Sequence, residues 1–112
     1  MYAMKSVLTK DCITKSTDVP ILFERKNHHL GSIYCIDWSR SGRLIATGSN
    51  DKMVKVLVAP DLTDDAEAEF TELRLLGHKG IVRSVCFTHD ETKVLSAGQV
   101  DTCIRVWDSA TG

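Results

Sequence analysis

Two histidine–aspartate pairs are the residues of this 112-residue chain whose types could do chemistry. His29 is followed by Asp51, and His78 by Asp101, at nearly equal spacing. A histidine held by a carboxylate can serve as a general acid or base, and histidines with cysteines can bind zinc. The chain has no nucleophile elbow, no phosphate-binding glycine loop and no zinc-ligand spacing. The sequence therefore predicts no catalytic residue, no metal site and no cofactor.

The pairs belong to an internal repeat, which explains their spacing without catalysis. The segment H-x-G-x-I-x-x-I-x-W from His29 recurs 49 residues later as H-x-G-x-V-x-x-V-x-F from His78. RLIATG from Arg43 matches KVLSAG from Lys93, and D-x-x-V-K-V-L from Asp51 matches D-x-x-I-R-V-W-D from Asp101. This alignment places one extra residue in the turn before Lys93. A fixed period of this length indicates repeated units that bury their apolar faces against one another.

Each unit contains strand patterns of β-branched and aromatic residues, separated by small polar turns. The predicted strands are 33–38, 43–49 and 53–58 in the first unit, and 82–87, 93–98 and 103–107 in the second. Alternation over 70–75 predicts a further outer strand. Residues 20–28 are predicted to form an outer strand that precedes the first unit, and 1–19 stay unassigned.

The first strand of each unit breaks strict alternation. Ile33 and Ile36 are three residues apart, and the second unit repeats this spacing. A β-bulge at Tyr34-Cys35 and at Arg83-Ser84 would return both apolar residues to the inward face. Tyr34 and Arg83 are then exposed, either as partner contacts or as ordinary solvent-facing residues.

The second unit, with Gly77-His78, Asp101 and Trp107-Asp108, resembles the WD40 repeat, and the resemblance extends over about 20–112. It implies an all-β fold with two four-stranded antiparallel blades of an incomplete β-propeller. The implied repeats are 29–75, with an acidic insertion at 59–69, and 76–112, truncated after its third strand. A closed propeller has at least four blades, so the remaining blades or self-association are needed to close the ring.

The resemblance also implies a structural role for the histidine–aspartate pairs. In WD40 blades a histidine, a Ser or Thr, an aspartate and a tryptophan form a buried hydrogen-bonded tetrad. His29, Thr47 and Asp51 match it in the first unit, with Leu57 at the tryptophan position. His78, Asp101 and Trp107 match it in the second, with Ala97 at the hydroxyl position. Both tetrads are therefore predicted to be incomplete.

A narrower resemblance concerns about 23–58, which is similar to a blade of the nemitin family of microtubule-associated WD-repeat proteins. The similarity includes Leu57 and the polar insertion that follows it. Six acidic residues and no basic one lie between Asp61 and Glu72, which favours a solvated loop over a contact for a basic partner. This resemblance implies a cytoskeletal, microtubule-associated scaffold.

The bulk properties favour a cytoplasmic protein, whereas the protein partner and the cytoskeletal setting are what the resemblance implies. The net charge of -1 and the scattered basic residues give no support for nucleic acid, and no apolar run or signal peptide points to a membrane. The four cysteines form no C-x-x-C pair and are predicted to be reduced, mostly buried thiols.

The sequence thus predicts a protein–protein interaction scaffold. Its alternatives are an adaptor in a ubiquitin-ligase or chromatin complex and a non-functional truncated product, whereas an enzyme has no supporting feature. The predicted partner contacts lie beside the bulges and the aspartate turns. They are Ser32, Tyr34, Asn50, Lys52, Ile81, Arg83, Val100 and Thr102.

Overall fold

The computed structural model describes residues 21, 23–59 and 71–112, and these residues form only strands and their connections. The strands are β1 (Ile33–Trp38), β2 (Leu44–Ser49), β3 (Met53–Val58), β4 (Glu72–Leu76), β5 (Val82–Phe87), β6 (Lys93–Gly98) and β7 (Ile104–Asp108). The all-β prediction is confirmed. The described part of the chain contains no helix that could cross a membrane.

The strands form two antiparallel sheets that follow the order of the chain. The order β1-β2-β3-β4 makes the four-stranded blade 1, and β5-β6-β7 makes the three-stranded blade 2. Matching turns join the first two strands of each blade. Gly42 in blade 1 and Glu91 in blade 2 have φ values of 78° and 64°, and each donates its backbone N–H to the residue three positions earlier. These turns therefore have the same length in both blades.

Both predicted β-bulges are present. The pairing of β1 with β2 shifts between Ile33 and Cys35, and the pairing of β5 with β6 shifts between Val82 and Ser84. The extra residues are Tyr34 and Arg83. Because a bulge leaves one residue outside the ladder and turns it outward, these two side chains leave the sheet at the same edge of neighbouring blades.

The shared core lies between the two blades. One face of the blade 1 sheet packs against one face of the blade 2 sheet. The residues buried at this contact are Ala46, Val54, Val56 and Leu75 with Val82, Val85 and Val94. Gly48 permits this approach, because a Cβ there would lie 2.5 Å from Val82 Cγ1 and 2.5 Å from Cys35 Sγ. Any larger residue at Gly48 would push the blades apart.

Each blade leaves its second face uncovered by the described residues. We call the uncovered face of blade 1 the leading face and that of blade 2 the trailing face. The leading face exposes Ile33, Ile36 and Trp38 by 50%, 68% and 57%, and the trailing face exposes Ile104 and Val106 by 68% and 61%. The bulge turns the apolar residues to the same face in both blades, as predicted. Among the described residues only that face of blade 2 is covered by another blade, so Val82 and Val85 are buried whereas Ile33 and Ile36 are exposed.

The thiols follow the same pattern. Cys35 is half-buried between the blades, whereas Cys86 and Cys103 are exposed, and all three are free. The prediction of mostly buried thiols is therefore wrong for Cys86 and Cys103. Cys86 alternates with the buried Val85 and so lies on the trailing face, which no described residue covers.

Two sequence predictions differ from the structure: one concerns an expected strand, and the other concerns the position of the extra residue. Ile21 and residues 23–28 form no strand, because an outer strand needs a neighbouring strand and blade 1 already has its own in β4. The extra residue lies after β6, in the turn that contains Val100, and not in the turn before Lys93. The predictions for 1–19 and for the insertion from 60 to 69 lie outside the described residues.

Candidate partner-binding rim and the polar networks behind it

Blade 2 contains a complete four-residue hydrogen-bond network. Trp107 Nε1 donates to Ser96 Oγ at 2.7 Å, and Ser96 Oγ lies 2.6 Å from His78 Nε2. His78 Nδ1 is hydrogen bonded to Asp101 Oδ2. Since the carboxylate can only accept, His78 carries its proton on Nδ1, and the Ser96 hydroxyl donates to Nε2. The network therefore runs in one direction, from Trp107 to Asp101.

Ser96, and not Ala97, supplies the hydroxyl, so the prediction that this tetrad is incomplete is wrong. In the sequence Gly48 and Gly98 look equivalent, which would align Thr47 with Ala97. The strand pairing instead makes Ser96 the counterpart of Thr47. Val85 pairs with Ser96 in the same way that Ile36 pairs with Thr47. The extra residue is Val100, whose φ of 80° is unusual for a β-branched side chain.

Blade 1 builds the same network with a different first member. His29 Nδ1 lies 2.8 Å from Asp51 Oδ2, and His29 Nε2 lies 2.8 Å from Thr47 Oγ1. His28 Nε2 lies 2.9 Å from the same Thr47 oxygen. Because Thr47 donates its proton to His29, His28 must donate to Thr47. His28 therefore occupies the place that Trp107 has in blade 2.

Sequence reasoning missed His28, although one signal was available. Leu57 cannot donate a hydrogen bond, so the hydroxyl of Thr47 needed another donor. A second histidine stands directly before His29, where the second unit has Gly77, and its ring can supply an N–H donor. The side chain of His28 is buried, with its ring 4.8 Å from that of His29 in an edge-to-face arrangement.

A cluster of charges surrounds His28 and has no counterpart in the described part of blade 2. Glu72 Oε2 lies 2.8 Å from Arg25 Nη2, and Glu72 Oε1 lies 3.2 Å from Lys55 Nζ and 2.8 Å from Arg74 Nε. Lys55 also donates to the carbonyl of His28. Lys55 is buried, and the Glu72 carboxylate and the His28 carbonyl stabilise its ammonium group.

The surroundings of His28 and Glu72 fix their charge states. Burial, with the charges of the nearby His29 and Lys55 acting in the same direction, lowers the pKa of His28 to about 4. Burial alone would raise the pKa of Glu72, but hydrogen bonds from Arg74, Arg25 and Lys55 outweigh it and hold the pKa at about 2. Neutral His28 can accept the 3.3 Å hydrogen bond that Arg25 Nε donates to its Nδ1, which agrees with its role as a donor to Thr47.

Both aspartates of the networks accept hydrogen bonds that hold the turns and the histidines in place. Burial raises the pKa of Asp51, but hydrogen bonds from the Met53 N–H, His29 and the Leu30 N–H lower it below the ordinary value. The pKa of Asp101 is likewise lowered against burial by the Lys79 N–H and His78. Carboxylates that hold loops by accepting backbone N–H groups are poorly placed to move protons. In the described part of the chain, no three His, Cys, Asp or Glu residues come together as a metal site.

The predicted partner contacts share one edge of the two blades, which we call the upper rim. It consists of 30–34, 50–52, 79–83 and 99–102. Seven of the eight predicted contact residues are exposed, and Ile81 is half-buried. The backbone brings the segments together, since Asn50 N donates to Ser32 O at 3.0 Å and Gln99 N donates to Ile81 O at 2.7 Å.

The two bulge residues meet across the gap between the blades. The guanidinium carbon of Arg83 lies 4.6 Å from the centre of the Tyr34 ring, which is a cation–π contact. Arg83 Nη2 also donates to Gln99 Oε1 at 2.8 Å. These contacts hold Arg83 in one orientation at the centre of the upper rim.

Comparison with known proteins places the repeat in a family. Residues 21–56 and 70–108 match the family described as "WD domain, G-beta repeat". The chain is 29% identical over 106 residues to protein HIR1 of Cryptococcus neoformans, covering 87% of this chain and 12% of that protein. It is 25% identical over 122 residues to mouse protein HIRA, covering 97% and 12%, and 32% identical over 76 residues to LEC14B protein of Lithospermum erythrorhizon, covering 68% and 15%.

Proposed function

The chain belongs to the WD40-repeat family, and from this premise we propose that it is part of a protein–protein interaction scaffold that binds its partner through the upper rim. One observation carries the proposal. The histidines, the aspartates and the tryptophan that give the repeat its polar pattern are hydrogen bonded to one another, directly or through the hydroxyls of Thr47 and Ser96, whereas the side chains beside them on the rim are exposed. The residues that could do chemistry thus hold the rim in shape.

We propose an adaptor in a chromatin complex as the cellular context, in preference to the microtubule-associated scaffold. The relatives support this choice, because the proteins named HIR1 and HIRA fit the chromatin alternative. They give no support to the narrower resemblance to the nemitin family. The chain spans only 12% of the HIR1 and HIRA proteins reported above, so the partners of the whole protein belong to the proposal.

The test of this proposal is a fractionation experiment with the tagged full-length protein. We expect retention with chromatin and release by nuclease treatment. The rim variant Ser32→Glu/Thr102→Glu should reduce retention by about fivefold, the effect of losing roughly 1 kcal/mol of contact energy. Arg43→Glu on the opposite edge is the matched control and should change nothing.

Two outcomes would overturn the proposal. Co-sedimentation with polymerised tubulin, with the protein in the cytoplasm and absent from chromatin, would replace the chromatin context by the cytoskeletal one. Equal loss of chromatin retention in the rim variant and in Arg43→Glu would contradict the role of the upper rim.

A further inference from the structure

The charged groups that the upper rim offers to a partner have one sign. Lys52, Lys79 and Arg83 are exposed. The rim segments contain two acidic residues, and their side chains are only 6% and 2% exposed, for Asp51 and Asp101. A partner that approaches this edge therefore meets three cations and no accessible carboxylate within 30–34, 50–52, 79–83 and 99–102.

The buried carboxylates cannot compete for the cations, because their oxygens are already used. Asp51 accepts from His29, from the Leu30 N–H at 3.0 Å and from the Met53 N–H at 3.0 Å. Asp101 accepts from His78 and from the Lys79 N–H at 3.0 Å. The ammonium groups of Lys52 and Lys79 extend from the same turns and pair with no acceptor among the described residues of the rim.

The cations alternate with exposed apolar side chains. Leu30 is 91% exposed, Val100 is 73% exposed and Tyr34 is 47% exposed. Val100 holds a left-handed backbone conformation at the tip of its turn. Exposed apolar groups that lie among cations offer contact area as well as charge, which single surface lysines do not.

The opposite edge of the blades is different and serves as an internal comparison. Its turns over 39–43 and 88–92 contain both Arg40 and Arg43 and the acidic Asp90 and Glu91. Arg40 Nη1 lies 2.6 Å from His89 Nε2, and the Ser41 N–H donates to Glu91 Oε1 at 2.6 Å. That edge therefore presents charges of both signs, and these two hydrogen bonds join its turns across the blades.

From these observations we propose that the upper rim binds an acidic, extended segment of its protein partner. Carboxylates of that segment pair with Lys52, Lys79 and Arg83, while intervening apolar side chains contact Leu30 and Val100. Arg83 is already oriented by Tyr34 and Gln99, so its remaining N–H donors can take a carboxylate with little further ordering. This inference rests on the proposed scaffold function and specifies the chemistry of the partner.

A protein segment is favoured over a nucleic acid. The chain as a whole has a net charge of -1, which gives no general attraction for a phosphate backbone. One face of the Tyr34 ring, the exposed aromatic ring at the centre of the rim, is covered by Arg83, so a base could stack only on the other face.

The test uses the full chain and a fluorescent synthetic peptide in which glutamate alternates with leucine and serine. Its matched probe has glutamine in place of every glutamate, and a single-stranded oligonucleotide of similar length is the third probe. We expect the acidic peptide to bind more tightly than the glutamine peptide at about 0.05 M salt, with weaker binding at about 0.15 M as the charges are screened. Fluorescence anisotropy gives the dissociation constants.

Variants locate the binding. Lys52→Gln and Arg83→Gln should each weaken binding of the acidic peptide by about threefold to tenfold, as expected for one charged contact at an interface. Arg83→Lys should restore part of the loss. Arg43→Gln on the opposite edge is the control and should bind as the unchanged chain does, and far-ultraviolet circular dichroism checks that each variant is folded.

The acidic-partner inference is overturned if the glutamine peptide binds as tightly as the acidic one, if Arg43→Gln weakens binding as much as Arg83→Gln, or if the oligonucleotide binds more tightly than either peptide. Each of these results leaves the chromatin-retention experiment unaffected. If Ser32→Glu/Thr102→Glu still loses retention, the rim remains the partner surface and only the chemistry assigned to the partner is wrong.

Discussion

The two blades build one network from different residues. In blade 2 the indole N–H of Trp107 donates to Ser96, and in blade 1 the imidazole N–H of His28 donates to Thr47. In both, the hydroxyl then bonds to a histidine that is held by an aspartate. The comparison teaches that the position requires an N–H donor aimed at the hydroxyl, whereas the side chain that carries the donor can change.

The substitution changes what surrounds the donor. Trp107 lies beside His78, with ring centroids 6.2 Å apart, and packs against the core between the blades. His28 is smaller and polar, and it lies among Arg25, Lys55 and Glu72. Blade 2 therefore supports its network mainly by apolar burial, and blade 1 by a buried ionic cluster.

The largest effect that tests this comparison comes from removing the hydroxyl. Ser96→Ala should lower the free energy of unfolding by about 2–4 kcal/mol, because the Trp107 N–H and His78 Nε2 both lose their partner in a buried site. Thr47→Val, the matched change in blade 1, should cost a similar amount. Urea unfolding followed by tryptophan fluorescence measures both.

Ser84→Ala is the control for this experiment, since Ser84 is exposed, and it should stay within about 0.5 kcal/mol of the unchanged chain. A cost below about 0.5 kcal/mol for Thr47→Val beside a large cost for Ser96→Ala would show that the two networks are not equivalent.

A smaller effect is expected from removing the donor alone. Trp107→Phe and His28→Phe each keep an aromatic ring but lose the N–H that points at the hydroxyl. Each should cost about 1–2 kcal/mol, the usual range for a buried hydrogen bond with one partner left. The same unfolding measurement applies, with Trp38→Phe on the leading face as the control. No loss on His28→Phe would refute the assignment of His28 to the place of Trp107.

The last effect is small near neutral pH and grows only as the pH falls: it is a difference in acid sensitivity between the blades. Because folding lowers the pKa of His28 from 6.5 to about 4, the unfolded chain binds a proton in this interval that the folded chain does not. Stability therefore falls as the pH drops from about 6.5 towards 4. The lowered pKa of Glu72 adds a second loss from about 4.5 towards 2.

His28→Gln should flatten the first part of this decline, whereas Trp107→Phe should lower stability at every pH without changing the slope. Urea midpoints at about pH 7, 5 and 4 separate the two cases. An unchanged slope in His28→Gln would mean that another group titrates in this interval.

Much of the fold could be predicted because the repeat occurs twice. The period-two patterns located the strands to within one or two residues, apart from the outer strand expected over 20–28. The broken spacing of Ile33 and Ile36 predicted a bulge, and Val82 with Val85 gave it independent support. Local patterns of this kind depend on the pleat of the strand itself, so they can be recognised before the tertiary structure is known.

Properties that depend on packing could not be predicted in the same way. The strand pairing identifies Ser96, whereas similarity of letters favoured Ala97, because the sequence does not show in which turn the extra residue lies. Exposure of Ile33 and Cys86 depends on which blade faces have a neighbour. The role of His28 depends on the three-dimensional approach of segments that precede β1 to Thr47 and Glu72.

The leading and trailing faces differ in chemistry, and this gives the pair of blades a polarity. The leading face has Ile36 and Trp38 next to a charged cluster, whereas the trailing face presents Ile104 and Val106. A protein surface that complements the charged groups beside the leading face would not complement the apolar trailing face. A further sheet that packs on this unit would therefore fit one of its two ends and not the other.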